Sequence, residues 1–331
     1  KSYKYIPKKI FQTYKANQVG SGMYDAVHTW IDKNPDWEYY FFDDKACRDF
    51  IKDNFPKKVL DAYDTLIPGA YKADLWRYCV LYIHGGVYVD IKAQLLVGLN
   101  DVISENMQFL SIKDKPSDSS NSLLSTYILQ AFLCAKPKHA FLKKAIDLIV
   151  SNVEAGDYGH ESISITGPGL IGKAINMVLN LPENTPNLSG EHNINDYKYT
   201  LWPHSPGLKE IKDGFNKSVF MYEYPTYREE LNSSFQVNIG SLYEYCWYFD
   251  KVYTHNKVMR PAYNAYHKKE FKRNIVGMIR KIYKAGDKKM ARKGIFEIMK
   301  KGNFKLNLIM IIINNELLRP VASLFKSNYK Y

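Results

Sequence analysis

Lys72-Ala-Asp-Leu-Trp-Arg-Tyr-Cys-Val-Leu-Tyr-Ile-His-Gly-Gly-Val-Tyr-Val-Asp90 decides how this 331-residue chain is read. The stretch divides at Gly85-Gly86. Residues 70–84 read as a helix, and the two glycines are its C-terminal stop and a tight turn that permits close backbone approach. Residues 87–91 then read as a short strand that carries Asp90 to its end. Open α/β sheets bind ligands at the C-terminal ends of their strands, so Asp90 stands at the rim of a candidate site. Upstream, Asp74 and Arg77 are three residues apart and share a helix face. Asp74 can accept hydrogen bonds from sugar hydroxyls, and Arg77 can make a forked contact to phosphate. The same spacing also describes an ordinary surface ion pair.

Working outward, helix and strand patterns alternate. Residues 8–14 and 37–42 read as strands, with a helix over 23–33 between them that stops at Asn34-Pro35. Two short helices are expected over 45–54 and 56–66. Strands are expected over 109–112, 126–135, 199–203 and 218–224, helices over 139–153 and 170–179, and a mixed, strand-like piece over 243–253. Residues 113–121 and 180–197 are polar and read as loops. The alternation predicts an α/β fold with a mostly parallel central sheet. No internal repeat is present.

Composition narrows the class. Tyr supplies 27 residues, a side chain suited to stacking on sugars and bases, although Tyr-rich coding would give the same count. Cys47, Cys79, Cys134 and Cys246 lie in apolar runs without metal-ligand spacing and are expected to be free thiols in a reducing compartment. No apolar run approaches the length of a spanning helix, and no signal peptide opens the sequence, which begins without Met; the expectation is a cytoplasmic protein. The net charge of +12 is concentrated at one end: residues 267–331 hold 17 Lys and Arg against 4 Asp and Glu, and the other 266 residues hold 29 against 30. Phe271, Ile275, Met278 and Ile282 form an apolar stripe among those cations, so 267–331 is read as a basic amphipathic helical appendage to a domain spanning 1–266. Such a segment suits peripheral attachment to an anionic membrane surface; a helical hairpin packed on the domain is the alternative. Nucleic acid is a third, weaker reading, because the segment lacks base-stacking aromatics and any recognition motif.

Lys72-x-Asp74-x-x-Arg77-Tyr78, then six residues, then Gly85-Gly86-Val-Tyr-x-Asp90 resembles the donor-binding signature of glycosyltransferase family 32. Residues 6–14 resemble that family's opening strand, Thr166-Gly167-Pro168 its "TGP" segment, and residues 247–253 a late Trp-then-Tyr stretch. The resemblance runs over about residues 5–255. It implies a GT-A fold and a retaining transferase that moves a hexose or N-acetylhexosamine from a nucleotide sugar, UDP favoured, to a glycan or lipid-linked saccharide, as in capsule and polysaccharide synthesis. By position it implies that Asp74, Arg77, Gly85, Gly86 and Asp90 bind the donor, with Asp90 the first Asp of a DXD motif. Gln12 and Tyr14 would lie where the first strand meets the nucleobase. Gly167, Pro168, Gly169 and Trp247 would belong to the acceptor side or a pocket loop.

The sequence departs from the family where the DXD motif reads Asp90-Ile91-Lys92. The second Asp normally ligates Mn²⁺ or Mg²⁺, and a protonated Lys cannot. Three arrangements are compatible with this. A metal could be held by Asp90 and another group, with His255 the candidate. Lys92 could itself neutralise the diphosphate. Or the chain could bind sugar nucleotides or glycans without catalysis. Alternation along a strand would put Lys92 on the face of Asp90. No Ser/His/Asp or Cys/His arrangement stands out. His139 and His160 read as surface residues, His28 and His84 as structural ones.

Overall fold

β1 (Lys9–Thr13) and β2 (Glu38–Phe42) flank α1 (Ser21–Asp32), and then come three helices, α2 (Asp44–Asn54), α3 (Lys57–Thr65) and α4 (Gly69–His84). The computed structural model describes residues 5–114, 126–205, 207, 209–233, 243–248 and 250–260. The chain continues through β3 (Gly86–Val89), β4 (Gln94–Leu95), β5 (Phe109–Ile112), β6 (Phe132–Ala135), α5 (Ala140–Ala155), α6 (Pro168–Val178), β7 (Gly190–Ile194), β8 (Tyr197–Trp202), β9 (Glu210–Lys212), β10 (Ser218–Met221), α7 (Tyr227–Ser233) and α8 (Tyr243–Tyr248). The expected segment 267–331, its boundary with the domain, and residues 115–121 lie outside the described residues.

Seven strands form one sheet in the order β2-β1-β3-β6-β5-β8-β7. β1 is parallel to β2 and to β3, and β5 to β8, while β6 is antiparallel to both β3 and β5 and β7 is antiparallel to β8. Five strands therefore share one direction, and the sheet is mostly parallel as expected. β4, β10 and β9 form a second, three-stranded sheet.

Strand alternation explains why both faces of the large sheet are apolar. Phe11, Tyr88, Leu133 and Phe109 join the core under the helices, with Trp76, Leu75 and Phe141. Their neighbours Ile10, Val87, Val89, Phe132 and Leu110 join a second core with Trp30 of α1 and Phe220 of β10. α4 is sandwiched in the first core and is buried nearly all round, Asp74 and Arg77 included. Charged groups in that position need partners, and they find them at the sheet edge.

Three segments differ from the sequence expectation. In 126–135 the continuous strand is only Phe132–Ala135; Ile128 makes an isolated antiparallel bridge to Lys113, and Gln130 between them accepts from the Tyr78 hydroxyl. In 180–197 the polar sequence hides β7, an exposed edge strand that needs little apolar content; its hairpin to β8 turns on Asn195 and Asp196, both at positive φ (49° and 66°). Residues 243–248 are helical rather than strand-like.

Gly85 and Gly86 serve the fold. Gly85 caps α4 at φ 64°. Gly86, at φ 104°, has the Lys9 carbonyl oxygen 2.6 Å from where a Cβ would sit, so it lets β3 lie close against β1. Gly86 begins β3, about 13 Å from Asp90 at the strand rise of ~3.3 Å per residue, and Gly85 precedes it. In the fold the two glycines end α4 and place β3 against β1. Gly86→Ala is expected to cost about 2–4 kcal/mol of unfolding free energy, from left-handed strain plus the backbone clash. Urea unfolding reads this, and a loss below about 0.5 kcal/mol would show that the close approach is dispensable.

Candidate functional site

β3 ends at Val89, and residues 90–93 make a turn in which the Ala93 amide donates to the Asp90 carbonyl (3.0 Å). The backbone of Asp90 is fixed from both sides. Its amide donates to Ala131 O beside β6 (3.0 Å), and Gln12 of β1 donates through Nε2 to its carbonyl (3.4 Å). Gln12 is fully buried and is held in turn by the Tyr39 hydroxyl, which donates to its Oε1 (2.8 Å). The structure thus gives Gln12 the task of holding Asp90.

The Asp90 side chain faces α4. Its Oδ1 accepts from the Tyr88 hydroxyl (2.8 Å) and lies 3.7 Å from Arg77 Nη2. The Arg77 guanidinium stacks over the Tyr88 ring at 4.3 Å, donates through Nη1 to the Gln130 carbonyl (2.7 Å), and sits 3.2 Å from Asp74 Oδ1. The other Asp74 oxygen accepts from the Thr166 hydroxyl (2.7 Å). Arg77 Nε has no acceptor among the described residues. Exposure orders the group: the Asp90 side chain is 26% exposed, those of Asp74 and Arg77 only 10% and 6%. Asp74 and Arg77 are therefore a buried pair behind Asp90, not a surface ion pair.

Burial pushes the Asp74 carboxyl up to about 6, against the opposing pull of Arg77 and the Thr166 hydroxyl, with Asp90 adding to the rise. For Arg77 burial works against the charge, but Tyr88, Asp74 and Asp90 outweigh it and hold the guanidinium above its ordinary value. A folded pKa above the unfolded 3.8 means that folding takes up a proton between about pH 4 and 6. Wild type should therefore gain stability relative to Asp74→Asn as pH falls from 7.5 to 4.5, by about 2 kcal/mol. Urea unfolding across that range measures it, and parallel curves for the two proteins would refute the shift.

Gly167 stands against this pair. A Cβ there would be 3.2 Å from Asp74 Oδ2, so the glycine leaves room for the Thr166–Asp74 bond. Pro168 opens α6, and Gly169 lies against Ser164. Tyr14 is half-buried beside β1, in a cluster with Ile91, Tyr224 and Tyr227. Along the same edge, beyond β5 and β8, His204 Nδ1 lies 3.8 Å from Asp114 Oδ1. A cavity of about 420 Å³ opens there, lined by Pro203, His204, Lys209, Glu210, Lys212 and Asp213 among others.

Lys92 is reached differently from the expectation. The strand pleat stops before it, so alternation does not set its direction. The turn sends its ammonium over the Tyr222 ring (4.1 Å) and to 3.4 Å from Glu223 Oε1, on the segment after β10. Burial would lower its pKa, but Tyr222, Asp90, Tyr227 and Glu223 more than offset that and hold it above its ordinary value.

Other expected residues lie elsewhere. His255 Nε2 is 2.8 Å from the Val153 carbonyl, which can only accept, and its Nδ1 accepts from the Lys257 amide (3.3 Å). Both ring nitrogens engage backbone groups and tie residues 255–257 to the end of α5. Trp247 is buried in α8 and donates to the Tyr158 carbonyl. His139 is not a surface residue: it is fully buried as the N-cap of α5, with Nδ1 accepting from the Phe141 amide. The donor set around Asp90 includes a cation of the protein's own. No group of three His, Cys, Asp or Glu suited to a metal occurs among the described residues, and the side chain two positions on is an ammonium. Gln130, Tyr88, Tyr222 and Glu223 escaped the sequence reading, and only Tyr88, inside the opening motif, carried a local signal.

Residues 21–109 match the family model described as a glycosyltransferase sugar-binding region containing the DXD motif. The chain carries a glycosyltransferase family 32-type region. It contains Asp74, Arg77 and Asp90. The inositol phosphoceramide mannosyltransferase 3 of Schizosaccharomyces pombe is 33% identical over 121 residues, covering 36% of this chain and 33% of that protein. The initiation-specific alpha-1,6-mannosyltransferase of Candida albicans is 26% identical over 228 residues, 58% of this chain and 59% of that one. The matches thus span between about a third and three fifths of these relatives. Among solved structures, the ligand-free glycosyltransferase domain of the YGT toxin aligns with a TM-score of 0.44 at 8% identity, covering 84% of this chain and 90% of that one. The family 32-type region supplies α4 and β3, while Gln12, Gln130 and Thr166, which hold its charged groups, lie outside residues 21–109.

Proposed function

We propose that the chain is a glycosyltransferase that moves a hexose or N-acetylhexosamine from a nucleotide sugar to a glycan or lipid-linked saccharide. The observation that carries this is Asp90 at the rim of the parallel strand ends, backed by a buried Arg77–Asp74 pair, inside the sugar-binding region. Arg77 supplies a fixed positive charge behind the rim that favours a departing diphosphate, and Asp90 offers a carboxylate to donor hydroxyls. Retention with an α-linkage is part of the proposal: the leaving phosphate takes the acceptor proton on the same face, and no enzymic nucleophile is required. The names of the relatives favour mannose as the hexose and a glycolipid as acceptor. UDP as the donor nucleotide, a role in polysaccharide synthesis, and membrane association through 267–331 belong to the same proposal.

The test is a panel of UDP- and GDP-sugars read by nucleotide release, with and without Mn²⁺ or EDTA. Release with at least one donor supports the assignment. Binding without release under every condition would make the chain a sugar-nucleotide-binding protein instead.

A further inference from the structure

We propose that Lys92 is a built-in cation standing where a divalent metal would be required, so that this chain holds its donor diphosphate without metal. The inference rests on the sugar-nucleotide reading above and deepens it.

The carboxylates nearest the rim are already neutralised by protein cations. Asp90 has Arg77 at 3.7 Å and the Tyr88 hydroxyl at 2.8 Å. Glu223 is gripped by both arms of Arg228, Nε to Oε2 and Nη2 to Oε1, each at 2.6 Å, and its Oε1 also faces Lys92. A divalent ion between them would have to sit beside the Lys92 ammonium and compete with it for the same oxygens. The ammonium cannot easily retreat. Its side chain is 18% exposed, it lies over Tyr222, and the Tyr227 ring is 5.8 Å away. The backbone fixes the arrangement too, since the Tyr224 amide donates to the Lys92 carbonyl (2.9 Å) and ties residues 222–224 to the turn. Carboxylate, ammonium and aromatic wall thus form a preassembled group at the end of β3, where a lysine serves phosphate as a fixed point charge.

Two measurements on the full chain test this. The first is calorimetric binding of UDP and GDP in EDTA and in Mn²⁺. Wild type should bind at least one nucleotide with an affinity that changes by less than about three-fold between the two conditions, and Lys92→Met should weaken that binding by about ten-fold or more in both, as loss of a charge-assisted phosphate contact would. The second is thermal unfolding with Mn²⁺ and no nucleotide. Wild type should show no shift, while Lys92→Asp, which gathers three carboxylates, should melt early and be raised by Mn²⁺. Wild-type binding that requires Mn²⁺, or a saturable Mn²⁺ shift in the wild-type melt, overturns the inference and leaves the transferase reading standing. A Lys92→Met protein that binds as wild type also overturns it. If neither nucleotide binds under either condition, the sugar-nucleotide reading falls and the inference falls with it.

Discussion

Replacing Arg77 with Ala is expected to remove activity and to unfold much of the chain's margin of stability at once. The guanidinium is the only described cation against Asp74, a carboxylate that is almost wholly out of water. Removing one partner of a buried pair leaves the other charge uncompensated, at a cost of about 3–5 kcal/mol. The Gln130 carbonyl loses its donor as well. Part of the loss returns at low pH, because a protonated Asp74 no longer needs a cation. Nucleotide release should fall by about 10²–10³-fold, the usual effect of deleting one donor to developing charge. Arg77→Lys should rescue little, since an ammonium cannot stack on Tyr88 while reaching Gln130 O and both carboxylates. Urea unfolding at pH 7 and at pH 5, with release assays on the folded protein, reads all of this. An Arg77→Ala protein as stable and as active as wild type would mean that the pair neither supports the site nor belongs to it.

Asp90→Asn should separate the two effects. Asp90 lies at the rim, and an Asn oxygen can still accept from the Tyr88 hydroxyl. Stability should therefore stay within about 0.5 kcal/mol of wild type. Turnover should nonetheless fall by about 10²–10³-fold, because under the proposed function the lost charge is one that acts on the donor. A variant that keeps its turnover within ten-fold would place the reacting centre elsewhere.

Much of this was legible in the sequence because it is local. The Asp74–Arg77 spacing, the glycine stop and the strand ending at Asp90 all lie within one helix–turn–strand unit, where periodicity and turn chemistry act over a few residues. The partners were not legible. Gln130 and Thr166 lie 53 and 89 positions beyond Arg77 and reach the site only through tertiary packing. His255 illustrates the converse: a histidine attracts attention as a ligand, but a backbone carbonyl and amide had already claimed both nitrogens. Lys92 was placed near the site by strand alternation, although a turn directs it. β7 was missed because an edge strand does not have to look apolar, while the Asn195-Asp196 pair that forms its turn was present in the sequence.

β3 lies between β1 and β6, and both neighbours fall outside residues 21–109. The recognisable signature is therefore not a unit that can be cut out and expected to stand. A fragment trimmed to those limits would present β3 with two bare edges, each a row of unpaired amides and carbonyls open to strands of other molecules. For anyone choosing boundaries for expression or for grafting this chemistry onto another scaffold, the smallest sensible piece runs from β1 at least through β8, because modularity here follows the sheet and not the motif.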